Sequence, residues 1–325
     1  MARELTEVEF VANPIQRLVD RVRVSGGRFV FRLILLALLI DRGFVYFLPL
    51  AFMVFTSFKS PLDLQNPTVH WLPTHLFWPN YQYAWQQLDY GPSLLRTLAF
   101  VLLACLGQVA STALAGYGFA RYARIRGVEI IFLIAVFTFI VPPQTVIVSL
   151  LLNFKLLGWI NTFRPLVVPE WFAQGLRAGF FIFIFRQAFR GLPYQLEEAA
   201  RVDGANALQV FWRVMLPLVQ PSIAVALVFS VVWHWNETYL IQNIIPQNPE
   251  KWTLSVELLN FTNSAMSNQN SLNSNQAFQQ HTLLSANDAG AIMAGAMLVI
   301  LPPVFFYILV QRTFVQGVER SGLIE

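Results

Sequence analysis

Between Pro193 and Pro217 the chain reads Pro193-Tyr-Gln-Leu-Glu-Glu-Ala-Ala-Arg-Val-Asp-Gly-Ala-Asn-Ala-Leu-Gln-Val-Phe-Trp-Arg-Val-Met-Leu-Pro217, a stretch whose residue types and spacing suggest a task. It reads as two short helices and a bend. Pro193 suits a helix start, where its missing N–H is not needed. Glu197 and Glu198 fall in the first turns, which the helix dipole favours for acids. Gly204 suits a helix end or sharp turn, and the second helix runs to Leu216 before Pro217 opens an apolar run. A second group lies in or beside apolar runs. Ser230, His234 and Glu237 recur at i, i+4 and i+7, one helix face that could line a hydrophilic cavity, with Asn236 near its outer end. Arg177 stands nine residues before Arg186, about 13 Å along a helix. It lines a solute pathway, snorkels to the outer headgroups, or marks a span shorter than the apolar run. Trp233 and Trp235 could stack on a ring-shaped solute, although an interfacial Trp belt explains them more simply.

Enzymatic signatures are absent. No Gly is followed by Lys, so there is no phosphate-binding P-loop, and neither His-Glu-x-x-His nor Gly-x-Ser-x-Gly occurs. The four His (His70, His75, His234, His281) are scattered, and Cys105 is the only cysteine, which excludes an internal disulfide and a Cys-ligated metal site. No catalytic residue, metal ligand or cofactor is expected, so any work must be powered by a partner or an ion gradient.

The elements that position these residues are membrane helices. Of 325 residues 56% are hydrophobic and 12% charged, against about 25% charged in an ordinary soluble domain, and the mean hydropathy is +0.52. Such a balance excludes a disordered chain and a secreted disulfide scaffold and argues against a soluble enzyme. The net charge of +4 is spread too thinly to bind nucleic acid. A hydrocarbon core of about 30 Å takes roughly 20 apolar residues as helix. Six spans are expected, at Leu33–Ser57, Leu94–Phe119, Ile130–Leu152, Leu166–Phe185, Leu218–Trp235 and Ala289–Val310. The fold class is all-α, integral to the membrane. Asp41 and Arg42 interrupt the first run, which is either one long tilted helix or an interfacial helix followed by a short span.

Orientation follows from the cations. With the N-terminus inside, the inner segments hold Arg3, Arg17, Arg21, Arg23, Arg28, Arg32, Arg121, Arg124, Arg126, Arg186, Arg190, Arg201, Arg213, Arg312 and Arg320. The outer side holds Lys59, Arg96, Lys155, Arg164, Arg177 and Lys251, and Arg42 is ambiguous. Both termini are therefore expected in the cytoplasm. The expected organisation is a cytoplasmic extension over residues 1–28, a transmembrane domain over 29–317 and a cytoplasmic tail over 318–325. Glu4, Glu7, Glu9 and Asp20 argue against a cleaved signal peptide. Residues 58–93, rich in Pro and aromatics, suit a membrane surface or docking face. Within the outer connection 240–288, residues 260–281 are dominated by Asn and Gln and are expected to be a mobile polar loop. Gly107, Ser111 and Ala115, and Gly290, Ala291, Ala294 and Gly295, are small residues at spacings that permit close helix packing.

The 193–217 segment resembles the EAA loop of permease subunits of binding-protein-dependent ABC importers: Glu198-Ala199-Ala200, three residues, Gly204, nine residues, then Val214-Met215-Leu216-Pro217, with Val214 where Ile is usual. The resemblance continues along most of the chain and points to the carbohydrate branch, in particular the smaller permease of maltose-type transporters. It is carried by Thr56-Ser-Phe-Lys-Ser60, Trp78-Pro-Asn-Tyr81, Ala115-Gly-Tyr-Gly-Phe-Ala-Arg121, Leu157-Gly-Trp-Ile-Asn-Thr162, Trp235-Asn236 and Gln311-Arg-Thr-Phe-Val-Gln-Gly317. Val318–Glu325 lacks the usual Gly-rich basic ending, and the polar loop looks like an insertion.

What the resemblance implies is a non-catalytic permease in the cytoplasmic (inner) membrane of a prokaryote. It would be surrounded by lipid and paired with a homologous second permease, two copies of a cytoplasmic ABC ATPase and an extracytoplasmic sugar-binding protein. The loop at 190–217 would be a coupling helix seated in the ATPase. Glu198 would be its charged contact, Ala199 and Ala200 would allow close approach, and Asp203, Gly204, Leu216 and Pro217 would complete the motif. Arg177, Ser230, His234 and Asn236 would belong to the sugar pathway. Two rival readings are an ABC permease for a non-sugar solute and an ion-driven secondary transporter. The latter needs intramembrane carboxylates, and only Asp41 and Glu170 come near.

Overall fold

The computed structural model describes the backbone of residues 14–175, 177–271 and 278–322, and side chains within 31–312 except those of 176 and 266–288. All regular structure among the described residues is helical. The chain divides into two compact units, Met1–Phe55 and Thr56–Glu325. The described residues of the first form one helix, α1 (Pro14–Ser57), of 44 residues, which runs on to Ser57. Asp41 and Arg42 do not interrupt it, since a charged residue costs a helix only tenths of a kcal/mol; the same helix also runs on through Gly43 and Pro49. At 1.5 Å per residue, α1 is about 66 Å long and must project well beyond a 30 Å hydrocarbon core. The expected extension over 1–28 is thus, from Pro14, continuous with the first span; residues 1–13 lie outside the described residues.

In the second unit, α2 (Pro61–Gln65) and α3 (Pro79–Gln87) lead into α4 (Tyr90–Arg121). The short pieces are pinned by buried polar groups. Lys59 Nζ donates to the carbonyls of Val69 and His70 at 3.2 and 2.9 Å. Asn80 donates to the carbonyls of Ser57 and Lys59. Burial opposes ionisation of Asp63, but hydrogen bonds from Thr74 and Ser60 prevail and hold its carboxyl below the usual value.

Helix α4 is the spine. Ser93, Thr97, Phe100, Ala104, Gln108 and Thr112 form a buried stripe at three- and four-residue spacing, while Leu95, Leu98, Leu102 and Leu106 on the other side are exposed. That inversion, small and polar inside, leucine outside, suits a helix bathed in lipid. The spaced small residues do their packing here. A Cβ on Gly107 would lie 2.4 Å from the Trp171 ring, and one on Gly116 would lie 2.6 Å from Phe185 Cβ.

Two expected spans are broken. Ile130–Leu152 forms α5 (Val128–Phe137) and α6 (Pro143–Leu156), with the helical stretches Val128–Ile140 and Pro143–Leu156 at 103° to each other. Pro142 and Pro143 remove two backbone donors, and Pro142 drives Val141 out of helical geometry. Leu166–Phe185 is not a continuous helix either. It consists of α7 (Arg164–Val167), a 3₁₀ turn at Pro169–Phe172 and α8 (Ala178–Arg190), with Ala173 left-handed at φ 54° between them. Its 13 helical residues give α8 about 20 Å, short of a hydrocarbon core.

The chain continues through α9 (Gln195–Val202) and a rod made of α10 (Ala207–Gln209), a π-helical turn (Val210–Met215) and α11 (Leu216–Leu218). It then turns 81° into α12 (Gln220–Trp235), which is followed by α13 (Tyr239–Ile244), α14 (Leu254–Ser271) and α15 (Phe278–Gly322). The mobile loop expected over 260–281 is helical up to Ser271 and again from Phe278, with 272–277 outside the described residues. Composition misled because no Pro or Gly occurs between 254 and 288, and because Leu254, Val256, Phe261 and Ala265 are buried in the core. The tail is likewise helical to Gly322. By length and apolarity three helices among the described residues are able to cross a membrane, or up to five if each bent pair counts as one span.

Helix α15 contains Pro302 and Pro303, which cannot donate to the carbonyls of Leu298 and Val299 four residues back. Two other helices make up the deficit. Tyr90 donates its hydroxyl to the Leu298 carbonyl and Trp235 its Nε1–H to the Val299 carbonyl, both at 3.1 Å.

Candidate functional site

Two sites stand at different heights along α4. At its Arg121 end lies the 193–217 hairpin. Gly204 is left-handed at φ 86°, and a Cβ there would meet nothing within 4 Å, so glycine is required for its backbone angles and not for space. The turn is closed by the bond from Ala205 N–H to the Ala200 carbonyl. Asn206 and Gln209 then cap the next helix reciprocally, each at 2.9 Å. The bend and both limbs match the expectation from sequence. Glu198, Ala199, Val202, Asp203 and Leu208 are exposed, Val202 by 88% and Leu208 by 63%. Ala200 and Leu216 are half-buried, and Pro217 is exposed just before the 81° turn.

Glu197 behaves oppositely to its neighbour. It is buried and pairs with the Arg121 guanidinium. Sequence reasoning placed it only in a first helical turn. The signal that could have found it is Arg121 itself, a cation at the end of an apolar span.

The second site is a cavity of about 80 Å³ whose walls include Gln108, Glu170, Gln174, Arg177, His234 and Glu237 with Phe100 and Phe154. That is room for several ordered waters. Behind it runs a buried network. Gln108 donates to Glu170 at 2.7 Å and accepts from the Ser230 hydroxyl at 2.7 Å. His234 Nδ1 lies 2.8 Å from the Ser230 carbonyl, an acceptor only, so that nitrogen carries hydrogen. Nε2 faces the Glu170 carboxylate at 3.5 Å. The Glu170 seat needs Gly175, where a Cβ would fall 2.0 Å from a carboxylate oxygen. At the rim Arg177 pairs with Glu237 at 3.5 Å and lies 5.0 Å over the Trp233 ring.

Of the four expected pathway residues, Arg177 and His234 line the cavity and Ser230 holds its wall. Asn236 does not join them; it is exposed and donates to the Val232 carbonyl of its own helix. Gln108 and Glu170 join the site unforeseen, although a polar residue in an apolar span is itself a signal. Trp235 is buried and bonded to α15, which excludes it from stacking on a solute. Among the described residues no group of three His, Cys, Asp or Glu could hold a metal.

Residues 112–320 match the family described as "Binding-protein-dependent transport system inner membrane component". The chain is 27% identical over 275 residues to the probable starch degradation products transport system permease protein AmyC of Thermoanaerobacterium thermosulfurigenes, covering 85% of this chain and 90% of that one. It is 26% identical to the diacetylchitobiose uptake system permease protein NgcG of Streptomyces coelicolor, covering 88% and 86%. A crystal structure of a bacterial ABC transporter importing the acidic polysaccharide alginate superposes with a TM-score of 0.69 over 89% of this chain and 98% of the matched chain, at 22% identity, a likeness of fold.

Proposed function

Because the chain belongs to the binding-protein-dependent transport system inner membrane component family, we propose that it is a permease subunit that imports a sugar or oligosaccharide by alternating access, driven by an ATPase on another chain. The observation that carries this reading is the hairpin, whose exposed face joins Glu198, Val202, Asp203 and Leu208 around the left-handed Gly204. Exposed apolar side chains beside a carboxylate suit a protein cleft better than open water. Sugar is the favoured solute because the named substrates of AmyC and NgcG are starch products and diacetylchitobiose.

In this reading the hairpin is the EAA coupling helix and faces the cytoplasm, as do both termini. The two bent pairs and the broken 166–185 segment complete six crossings. A homologous permease, two ATPase copies and an extracytoplasmic binding protein complete the assembly. Closure of the ATPases pulls on the hairpin, and the membrane helices rock between inward- and outward-open states. The cavity at Gln108, Glu170 and Arg177 is the closed form of this chain's part of the pathway and widens during the cycle.

Glu198→Lys and Gly204→Val test the assignment. Both variants are expected to reach the membrane and to lose ATP-dependent uptake of radiolabelled maltotriose and diacetylchitobiose in reconstituted vesicles. Gly204→Val acts by strain, since a β-branched residue resists a positive φ. Normal coupled turnover in both would reject the coupling-helix assignment.

A further inference from the structure

Glu197 sits one residue before the exposed Glu198, yet points into the protein. One carboxylate oxygen receives Arg121 Nε–H, and the other receives the Tyr117 hydroxyl at 3.1 Å and lies 3.5 Å from Arg201. The side chains of Glu197 and Arg121 are each only 5% exposed. Arg121 also holds the entry to that limb, through the Leu192 carbonyl at 3.2 Å and over the Tyr194 ring at 4.6 Å. Tyr117 packs on Phe211 of the other limb at 5.3 Å. The last turn of α4 therefore holds both limbs of the hairpin.

The covalent connections are poor conductors of motion by comparison. On one side the hairpin joins α8 through the non-helical Gly191–Pro193, and on the other it meets α12 at the 81° turn around Val219. Between Arg121 and Gln108, in contrast, α4 is unbroken and free of proline, about 20 Å of rigid helix. Its far end is Gln108, bonded to Glu170 and Ser230 in the cavity wall.

We propose that Glu197, through Arg121, is the positioning residue that passes motion of the hairpin to α4 and so to the Gln108 wall of the cavity. The inference rests on the coupling reading above. It divides the two adjacent acids by role: Glu198 meets the partner, and Glu197 meets the rod.

The test reads motion at the cavity and needs no knowledge of the solute. A cysteine is placed in the cavity wall by Leu150→Cys in a Cys105→Ser background, and the chain is purified with its ATPase. The rate of labelling by a small methanethiosulfonate is compared without nucleotide and with ATP plus vanadate. Otherwise native chain is expected to change its rate by about fivefold or more, the lower end of ordinary coupling between sites. Glu197→Gln is expected to retain the ATPase in unchanged stoichiometry while its rate no longer responds to nucleotide. Arg121→Gln should behave alike, and the double variant should be no worse than either, since the two act as one unit. A merely structural role would lower the yield of complex without abolishing the response. If Glu197→Gln fails to assemble, Tyr117→Phe, which removes one hydrogen bond to the same carboxylate, is expected to shrink the response in assembled complex. An undiminished response in assembled Glu197→Gln, or in Tyr117→Phe where that variant is used, overturns the proposal. Failure of the otherwise native chain to capture an ATPase or to respond to nucleotide would instead overturn the coupling reading itself.

Discussion

Glu257 lies where α14 meets the start of α4, with Arg96 at 4.0 Å and Asp89 in turn 3.7 Å from Arg96. Burial raises its pKa to about 7; Arg96 opposes the shift and Asp89 adds to it. A carboxyl raised in the folded state stabilises fully below its unfolded value, near 4.5, and that contribution is lost as pH rises through about 7. Glu257→Gln mimics the protonated form. It is expected to melt with the parent at pH 5 and above it at pH 8, measured by thermal unfolding in detergent; equal melting at both would refute the burial argument. A second prediction concerns the cavity. Gly175→Ala drives a methyl into the Glu170 carboxylate, and such overpacking typically costs about 1–3 kcal/mol. A lowered melting temperature is expected, restored in part by Glu170→Ala. Neither effect is visible from spacing: Gly175 looks like a loop glycine until Glu170 is folded against it.

Helix α15 shows what a break costs inside a membrane. Lipid offers no replacement donors, so the carbonyls orphaned by Pro302 and Pro303 must find protein partners. Trp235→Phe is expected to destabilise by about 1–3 kcal/mol, the usual penalty for an unsatisfied buried acceptor. Pro303→Ala restores the missing N–H, so Trp235→Phe should cost less in that background. A double-mutant cycle on melting temperatures measures the difference, and strict additivity would show that the bond contributes nothing. The tandem prolines at Pro142 and Pro143 have the opposite outcome, a bend of 103°. The sequence shows both proline pairs equally well. It does not show which pair is rescued, because the rescuers, Tyr90 and Trp235, come from other helices.

At the scale of the whole molecule, α4 separates two sets of segments. Its Tyr90 end meets Trp252, Glu257 and Leu298, and its Arg121 end meets Leu192, Tyr194 and Glu197. In the orientation proposed from the cation asymmetry, the second set faces the cytoplasm. In a Cys105→Ser background, an impermeant thiol reagent applied to intact cells is expected to label Asn270→Cys and to spare Ile125→Cys; the reverse pattern would invert the topology. The sequence by itself determined the membrane class, the all-helical character and the bend at Gly204, since apolar runs, caps and glycine angles act within a turn or two of the chain. Only the tertiary structure decided that residues 166–185 are three pieces and that 254–271 are helix. It alone separated Glu197 from Glu198 and brought Gln108 to Glu170 and Ser230. Those partners stand 62 and 122 residues from Gln108, and Arg121 stands 76 from Glu197. Pairings at such distances are set by which faces of packed helices meet, and a buried polar group takes whichever partner that packing supplies.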